Sequence, residues 1–133
     1  MKNKLNQAII SLGGKGTRLN KITNDIPKPL WPIMGSSTLE RAIKNLRDYG
    51  ITRYIFLLNF KSYYFKKEKT LLEKKYNIQI FIYEEETPKG EAGALIDIEN
   101  YLDENFLFIN GDIIFRIDIN KIYTFHTFKK ADL

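Results

Sequence analysis

Four short apolar runs set the limits on this fold: QAIISL at 7–12, RYIFLLN at 53–59, IQIFIY at 78–83 and FLFI at 106–109. Continuous apolar runs of this length, closed by turn-forming residues, are the mark of strands buried on both faces. Between them the spacing turns helical. Ser37 and Glu40 form a capping-box pattern ahead of Leu39, Ala42, Ile43, Leu46 and Tyr49, and Gly50 stands where a left-handed residue closes a helix. Residues 61–76 read as an amphipathic, lysine-rich helix, and residues 91–102 as a helix turning Ala92, Leu95, Ile96 and Leu102 inward. Residues 113–117 extend or follow the fourth strand, and Asp118 caps a last helix carrying Ile119, Ile122 and Phe125. Strands alternating with helices give an α/β domain with a mostly parallel sheet flanked by helices. Such a sheet binds ligands beyond the carboxyl ends of its strands.

Composition narrows the function classes. At 133 residues the chain is the size of one domain. No apolar run approaches the roughly 20 residues that cross a bilayer. The AIISL run near the N-terminus, broken by Ser11, is too short for a signal peptide, so the reading is cytoplasmic. There is no cysteine, and a single histidine, His126, excludes a multi-histidine metal site within one chain. The net charge of +5 comes from scattered lysines interleaved with Glu68 and Glu73. These are solvated helix faces, with neither the clustered arginines of a nucleic-acid track nor a membrane segment. His126 reads as structural or exposed, Tyr63, Tyr64 and Phe65 as packing residues, and Trp31 as the side chain that packs its loop down.

Three polar, glycine-containing loops follow strand ends: GGKGTR after the first, ETPKGEAG after the third and NGD after the fourth. Loops from one edge of one sheet converge on one site. The glycines of the first let backbone N–H groups curl around an anion, and Arg18 adds a cation that a plain turn does not need. It is not a Walker loop, because Ile9 stands where the first glycine is required, nor G-x-G-x-x-G, because Leu19 occupies the last position. Further on, Pro27 and Pro29 flank Lys28. Two prolines imply a stiff, extended presentation of the ammonium group, suited to charge that develops in a transition state.

Taken together, G-G-x-G-T-R-L followed by P-K-P-L-x-P resembles the signature of sugar-1-phosphate nucleotidyltransferases. ETPKGEAGAL resembles that family's E-x-P-L-G-x-x-G-A segment, and INGD its metal-binding L-x-G-D. The E-x-P-x-G-x-A-G-A form is similar to the branch acting on mannose or heptose 1-phosphates with a guanylyl donor. The resemblance implies a Rossmann-like fold of the nucleotide-diphospho-sugar transferase type. It implies a nucleoside triphosphate and a sugar 1-phosphate as substrates, Mg²⁺ as cofactor, and release of pyrophosphate in nucleotide-sugar biosynthesis. By the same resemblance Leu12, Gly13, Gly14, Gly16 and Thr17 cradle the nucleotide, mostly through backbone N–H groups. Arg18 neutralises the triphosphate, Lys28 grips the α-phosphate, Glu86 and Gly90 lie against the base, and Asp112 holds Mg²⁺.

Three departures accompany the resemblance. Leu12 replaces a small alanine, and Lys89 replaces an apolar residue. The family's domain also continues past residue 133, into most of its sugar-binding residues and a second metal-binding aspartate. The expectation is therefore the N-terminal, nucleotide-binding part of such a domain, spanning residues 1–133, with the C-terminal part missing. Exposed apolar surface would be covered by a second copy or a complementing chain. The alternatives are a non-catalytic nucleotide-binding or assembly module, and a cytidylyltransferase acting on phosphocholine or a similar phosphorylated alcohol.

Overall fold

The computed structural model describes residues 4–13, 26–59, 62–90 and 93–130. Its centre is a parallel sheet built from β1 (Gln7–Ser11), β4 (Arg53–Leu58), β5 (Gln79–Glu84) and β6 (Leu107–Asn110), in the order β5-β4-β1-β6. A small hairpin, β2 (Pro32–Ile33) and β3 (Ser36–Ser37), stands apart from it. Its turn places Met34 at φ 52° and Gly35 at φ 90°, positive angles at both centres as a tight hairpin requires. The helices are α1 (Thr38–Asp48), α2 (Ser62–Tyr76), α3 (Ala94–Asp97) and α4 (Ile119–Lys129). Among the described residues no helix is long and apolar enough to cross a membrane.

Alternation along the strands divides the core in two. Ala8, Ile10 and Leu12 of β1 and its end pack with Tyr54, Phe56 and Leu58 against Leu39, Ile43 and Leu46 of α1 and Phe65 and Leu72 of α2. Ile9, Ile55 and Leu57 face the other way, onto Ala94 and Ile98. Both faces of the central strands β1 and β4 are thus covered, as their continuous apolar runs require, while β6 is half-buried along its length and Phe81 of β5 is exposed.

α1 follows its sequence signals closely. The Ser37 side chain accepts from the Glu40 N–H at 3.1 Å, and Gly50 lies at φ 90°. Gly50 N–H donates to Arg47 and Ile51 N–H to Leu46, the paired bonds of a Schellman ending. The Glu40 side chain does not complete the capping box. It turns to α2, where it accepts from Tyr76 at 2.7 Å and Lys75 at 2.5 Å.

Other expectations need correction. The expected helix over 91–102 is instead the single turn of α3 followed by a 3-10 turn over Glu99–Tyr101. Ile96 consequently points outward at 75% exposure while Ala94 and Ile98 are buried, and Ala92 lies outside the described residues. Two tight bonds hold this bend: Gln7 is 1% exposed, donates to the Tyr101 carbonyl and accepts from the Asp103 N–H, each at 2.8 Å. Residues 113–117 form no strand, and the Phe115 carbonyl is held by Asn45 of α1 at 3.2 Å. Of the aromatic trio on α2, Phe65 is buried but Tyr63 is exposed. α4 is capped by Asp118 as read, yet of its apolar residues only Ile119 is buried, and Ile122, Phe125 and Phe128 are exposed. His126 meets Asn105 at 3.3 Å.

Candidate functional site

The order β5-β4-β1-β6 means that the chain leaves β1 in one direction, through β4 and β5, and returns to its other side at β6. The crevice between the carboxyl ends of β1 and β6 is the topological switch point, where open parallel sheets bind ligands. Gly111 N–H closes it, donating to the Ser11 carbonyl at 2.9 Å. A Cβ on Gly111 would lie 2.1 Å from Leu12 Cδ2, so the leucine side chain occupies the space that a side chain at 111 would need. This accounts for a leucine before Gly13: it is 3% exposed and belongs to the core under the NGD turn. Its N–H donates to the Leu57 carbonyl at 2.9 Å and is therefore committed to the sheet.

Lys28 and Asp112 meet across this crevice, Nζ to Oδ2 at 3.2 Å. Lys28 is not on an extended segment as the flanking prolines suggested. Pro27 is extended (φ −56°, ψ 139°), but Lys28–Leu30 is a 3-10 turn, closed by Leu30 N–H to the Pro27 carbonyl at 2.9 Å. Pro29 fits there because a residue in the first turn of a helix needs no N–H donor. The turn is fixed at both ends. Trp31 donates its indole N–H to the Ile26 carbonyl at 2.9 Å. Thr38, at the start of α1, sets its buried hydroxyl 3.0 Å from the Pro29 carbonyl and 3.3 Å from that of Gly111. That one hydroxyl joins the lysine turn to the aspartate turn. No local sequence pattern marks Thr38, because its role exists only once the two turns are adjacent.

The Lys28 and Asp112 side chains are 45% and 42% exposed, so their pair is solvated and weak, and each partner is free to exchange for a ligand. A cation and a carboxylate together at strand ends suit a polyanion and its counter-cation. Among the described residues no three His, Asp or Glu side chains cluster as a metal cage. Mg²⁺ does not demand one: it binds through one or two carboxylates plus substrate phosphates, and Asp112 fits that mode.

The third loop lies beyond β5, two strand spacings or about 10 Å from β1. Glu85 N–H donates to the Leu58 carbonyl at 2.7 Å, and from there Glu86 to Gly90 run exposed. Gly90 has φ 88°, which disfavours any residue with a Cβ. Lys89 is not idle in place of an apolar residue: its Nζ reaches Asp97 Oδ2 at 2.5 Å, and the Tyr83 hydroxyl donates to the same oxygen at 2.7 Å. These bonds hold the Asp97 carboxyl below its usual range and push Lys89 and Tyr83 up. The loop is thus tied to α3 by an ion pair. Gly93 admits that closure, since a Cβ there would lie 2.2 Å from the Lys89 carbonyl oxygen.

The structure brings Lys28, Asp112 and the Leu12–Gly13 strand end together, and sets Glu86 and Gly90 at the far end of the same sheet edge. Gly14, Gly16, Thr17 and Arg18 lie outside the described residues. Thr38, Asp97 and Asn59, whose side chain packs on Gly13, are the residues that sequence patterns did not mark.

Residues 7–133 match the family described as Nucleotidyl transferase. The chain is 37% identical over 120 residues to the D-glycero-alpha-D-manno-heptose 1-phosphate guanylyltransferase of Campylobacter jejuni, covering 87% of this chain and 52% of that protein. It is 31% identical over 145 residues to the probable glucose-1-phosphate cytidylyltransferase of Bacillus subtilis, covering 94% and 57%. Among solved structures it is similar to HddC from Yersinia pseudotuberculosis complexed with GMP-PN. There the TM-score is 0.79 at 31% identity, over 92% of this chain and 54% of that one. The chain therefore spans about half the length of these proteins.

Proposed function

Because this chain belongs to the nucleotidyl transferase family, we propose that it serves the transfer of a nucleotidyl group from a nucleoside triphosphate to a sugar 1-phosphate. A phosphate oxygen of the sugar attacks the α-phosphorus in line, and the bond to the β-phosphate oxygen breaks to release pyrophosphate. That nucleophile is already ionised at neutral pH, so no general base is needed. The protein's task is to position two polyanions and offset their charge. Lys28 leaves Asp112 for the α-phosphate and meets the charge that develops there. Asp112 would hold Mg²⁺, which would supply neutralisation of phosphate charge. Gly13, Gly14, Gly16 and Thr17 wrap the phosphates, Leu12 supports them from the core, and Arg18 faces the departing pyrophosphate. Glu86 and Gly90 border the base.

The observation that carries this reading is the Lys28–Asp112 contact at the switch point, with the glycine loop leaving the adjacent strand end. GTP with a mannose or heptose 1-phosphate is the first pair to test, since one relative is named a heptose 1-phosphate guanylyltransferase and a similar structure holds GMP-PN. The cytoplasm is the compartment this reading assigns. The test is a thermal-shift panel of GTP, CTP, UTP, dTTP and ATP with and without Mg²⁺, followed by assay of pyrophosphate release. A nucleotide at about 100 times its Kd adds roughly 2.7 kcal/mol of stability. A Mg²⁺-dependent shift with one nucleotide supports the reading, and no shift with any of them sinks it. Binding without turnover would leave a nucleotide-binding module, and selective use of CTP with phosphocholine would redirect the acceptor.

A further inference from the structure

Asn59 follows the last residue of β4, at the carboxyl edge of the sheet. The register pairs Ser11 with Leu57 and Leu58 with Glu84, which sets Asn59 between Gly13 and Glu85. Its carboxamide lies flat against Gly13: a Cβ there would be 2.7 Å from Oδ1 and 2.8 Å from both Cγ and Nδ2. Glycine at 13 is therefore what admits this side chain. Yet Oδ1 is buried and has no hydrogen-bond partner among the described residues. A buried acceptor left unpaired is costly, and a native structure that keeps one calls for a reason.

Position supplies the reason. Lys28 and Asp112 stand at the β1–β6 end, and Asn59 stands on the opposite side of β1, toward Glu85 and Glu86. An amide oxygen cannot serve phosphate oxygens, which at neutral pH offer acceptors, and neighbouring carboxylates repel them. It can serve the part of a nucleotide that carries N–H and O–H donors. We propose that Asn59 is a nucleoside-contacting residue, its Oδ1 accepting a hydrogen bond from the base or ribose while Gly13 holds the carboxamide in place. This rests on the nucleotide reading above. It agrees with the phosphates lying toward β6 and the base toward β5 in that reading.

The experiment uses the chain, Asn59→Ala and Asn59→Asp, measuring the melting temperature without ligand and calorimetric affinity for the five nucleotides and for inorganic tripolyphosphate. The expected result is that Asn59→Ala leaves the ligand-free melting temperature unchanged or higher, since an unpaired acceptor is removed. It weakens the preferred nucleotide about fivefold to tenfold and leaves tripolyphosphate binding unchanged. Asn59→Asp, which keeps the acceptor, retains a larger share of the base or ribose contact, seen as a smaller loss with the unphosphorylated nucleoside. A 2′-deoxynucleotide that binds the wild type as weakly as the ribonucleotide binds Asn59→Ala assigns the donor to the 2′-hydroxyl, and an unaffected one assigns it to the 3′-hydroxyl or the base. Equal nucleotide affinity in wild type and Asn59→Ala overturns the inference while the site reading stands. So does a parallel loss of tripolyphosphate, or a lowered ligand-free melting temperature with unchanged affinity. Absence of any nucleotide binding by the wild type overturns both.

Discussion

Gly111→Ala tests how the switch point is packed. The added methyl would sit 2.1 Å from Leu12 Cδ2 and 3.3 Å from Leu12 Cγ and Ile10 Cγ2. Ordinary contact between such carbons is about 3.5–4.0 Å, so the leucine must retreat by more than 1 Å into a core where it is already 97% enclosed, at 3% exposure. Overpacking of this kind costs about 1–3 kcal/mol. At roughly 4 °C per kcal/mol for a chain of this size, the melting temperature falls by about 4–12 °C. Leu12→Ala alone leaves a cavity and costs about 2–5 kcal/mol. In the double variant the new methyl enters the space the leucine has vacated, so the total should not exceed that of Leu12→Ala. The coupling between the sites is then about 1–3 kcal/mol. Urea denaturation of the four proteins measures it. Additive losses, within about 0.5 kcal/mol, would refute the account of Leu12 as the residue that fills the place of a side chain at 111.

Other outcomes follow from the same geometry. Asp112→Asn should change the ligand-free stability by less than about 1 kcal/mol, because its ion pair is solvated, while abolishing the Mg²⁺ dependence of nucleotide binding; calorimetry with and without Mg²⁺ decides. Thr38→Val removes the hydroxyl shared by the Pro29 and Gly111 carbonyls and should cost about 1–3 kcal/mol, with weaker Mg²⁺-nucleotide binding as Lys28 and Asp112 drift apart. A stable variant with unchanged binding would deny Thr38 that role. The Lys75 ammonium and, to a lesser degree, the Tyr76 hydroxyl hold the Glu40 carboxyl below 4.5 in the folded chain. This contribution to stability is present above about pH 4.5 and is lost as pH falls through the lower folded value. Glu40→Gln should flatten the acid limb of the stability curve, and identical slopes in the two proteins would contradict it. Exposed Ile122, Phe125 and Phe128 on α4 predict concentration-dependent association in sedimentation, and a single monomeric boundary at every concentration would exclude it.

What the sequence made legible was local. The central strands announce themselves because both of their faces are covered, so Ile9 and Ile10 are equally apolar although they enter different cores. α1 is legible because Ser37 and Gly50 do their work within one turn of where they stand. Ile96 escapes a helical reading because the apolar period continues through a segment that bends into a 3-10 turn, held by Gln7 from a distant strand. Lys28 was expected on extended chain because each proline restricts its neighbour, whereas Thr38 and Trp31 hold the segment in a turn. The ion pair of Lys89 with Asp97 and the seating of Asn59 on Gly13 depend on which strands lie side by side. No window of consecutive residues contains that information.

The position of β1 between its two neighbours also bears on how the chain assembles and opens. Gln7 pairs with Arg53 on one side, but Ala8 pairs with Leu107 on the other, across most of the chain. Pairings distant in sequence form late, after nearer ones have shortened the loop to be closed. β1, β4 and β5 with α1 and α2 can thus form one cooperative unit, onto which β6 docks afterwards, and units that join last tend to part first. Two amides placed back to back report on this order: Leu12 N–H is shared with β4 through Leu57, and Gly111 N–H with β1 through Ser11. In native-state hydrogen exchange the Gly111 amide should trade its proton for deuterium well before that of Leu12. The acidic half of the switch point would then come and go on a scaffold whose glycine-bearing half stays folded.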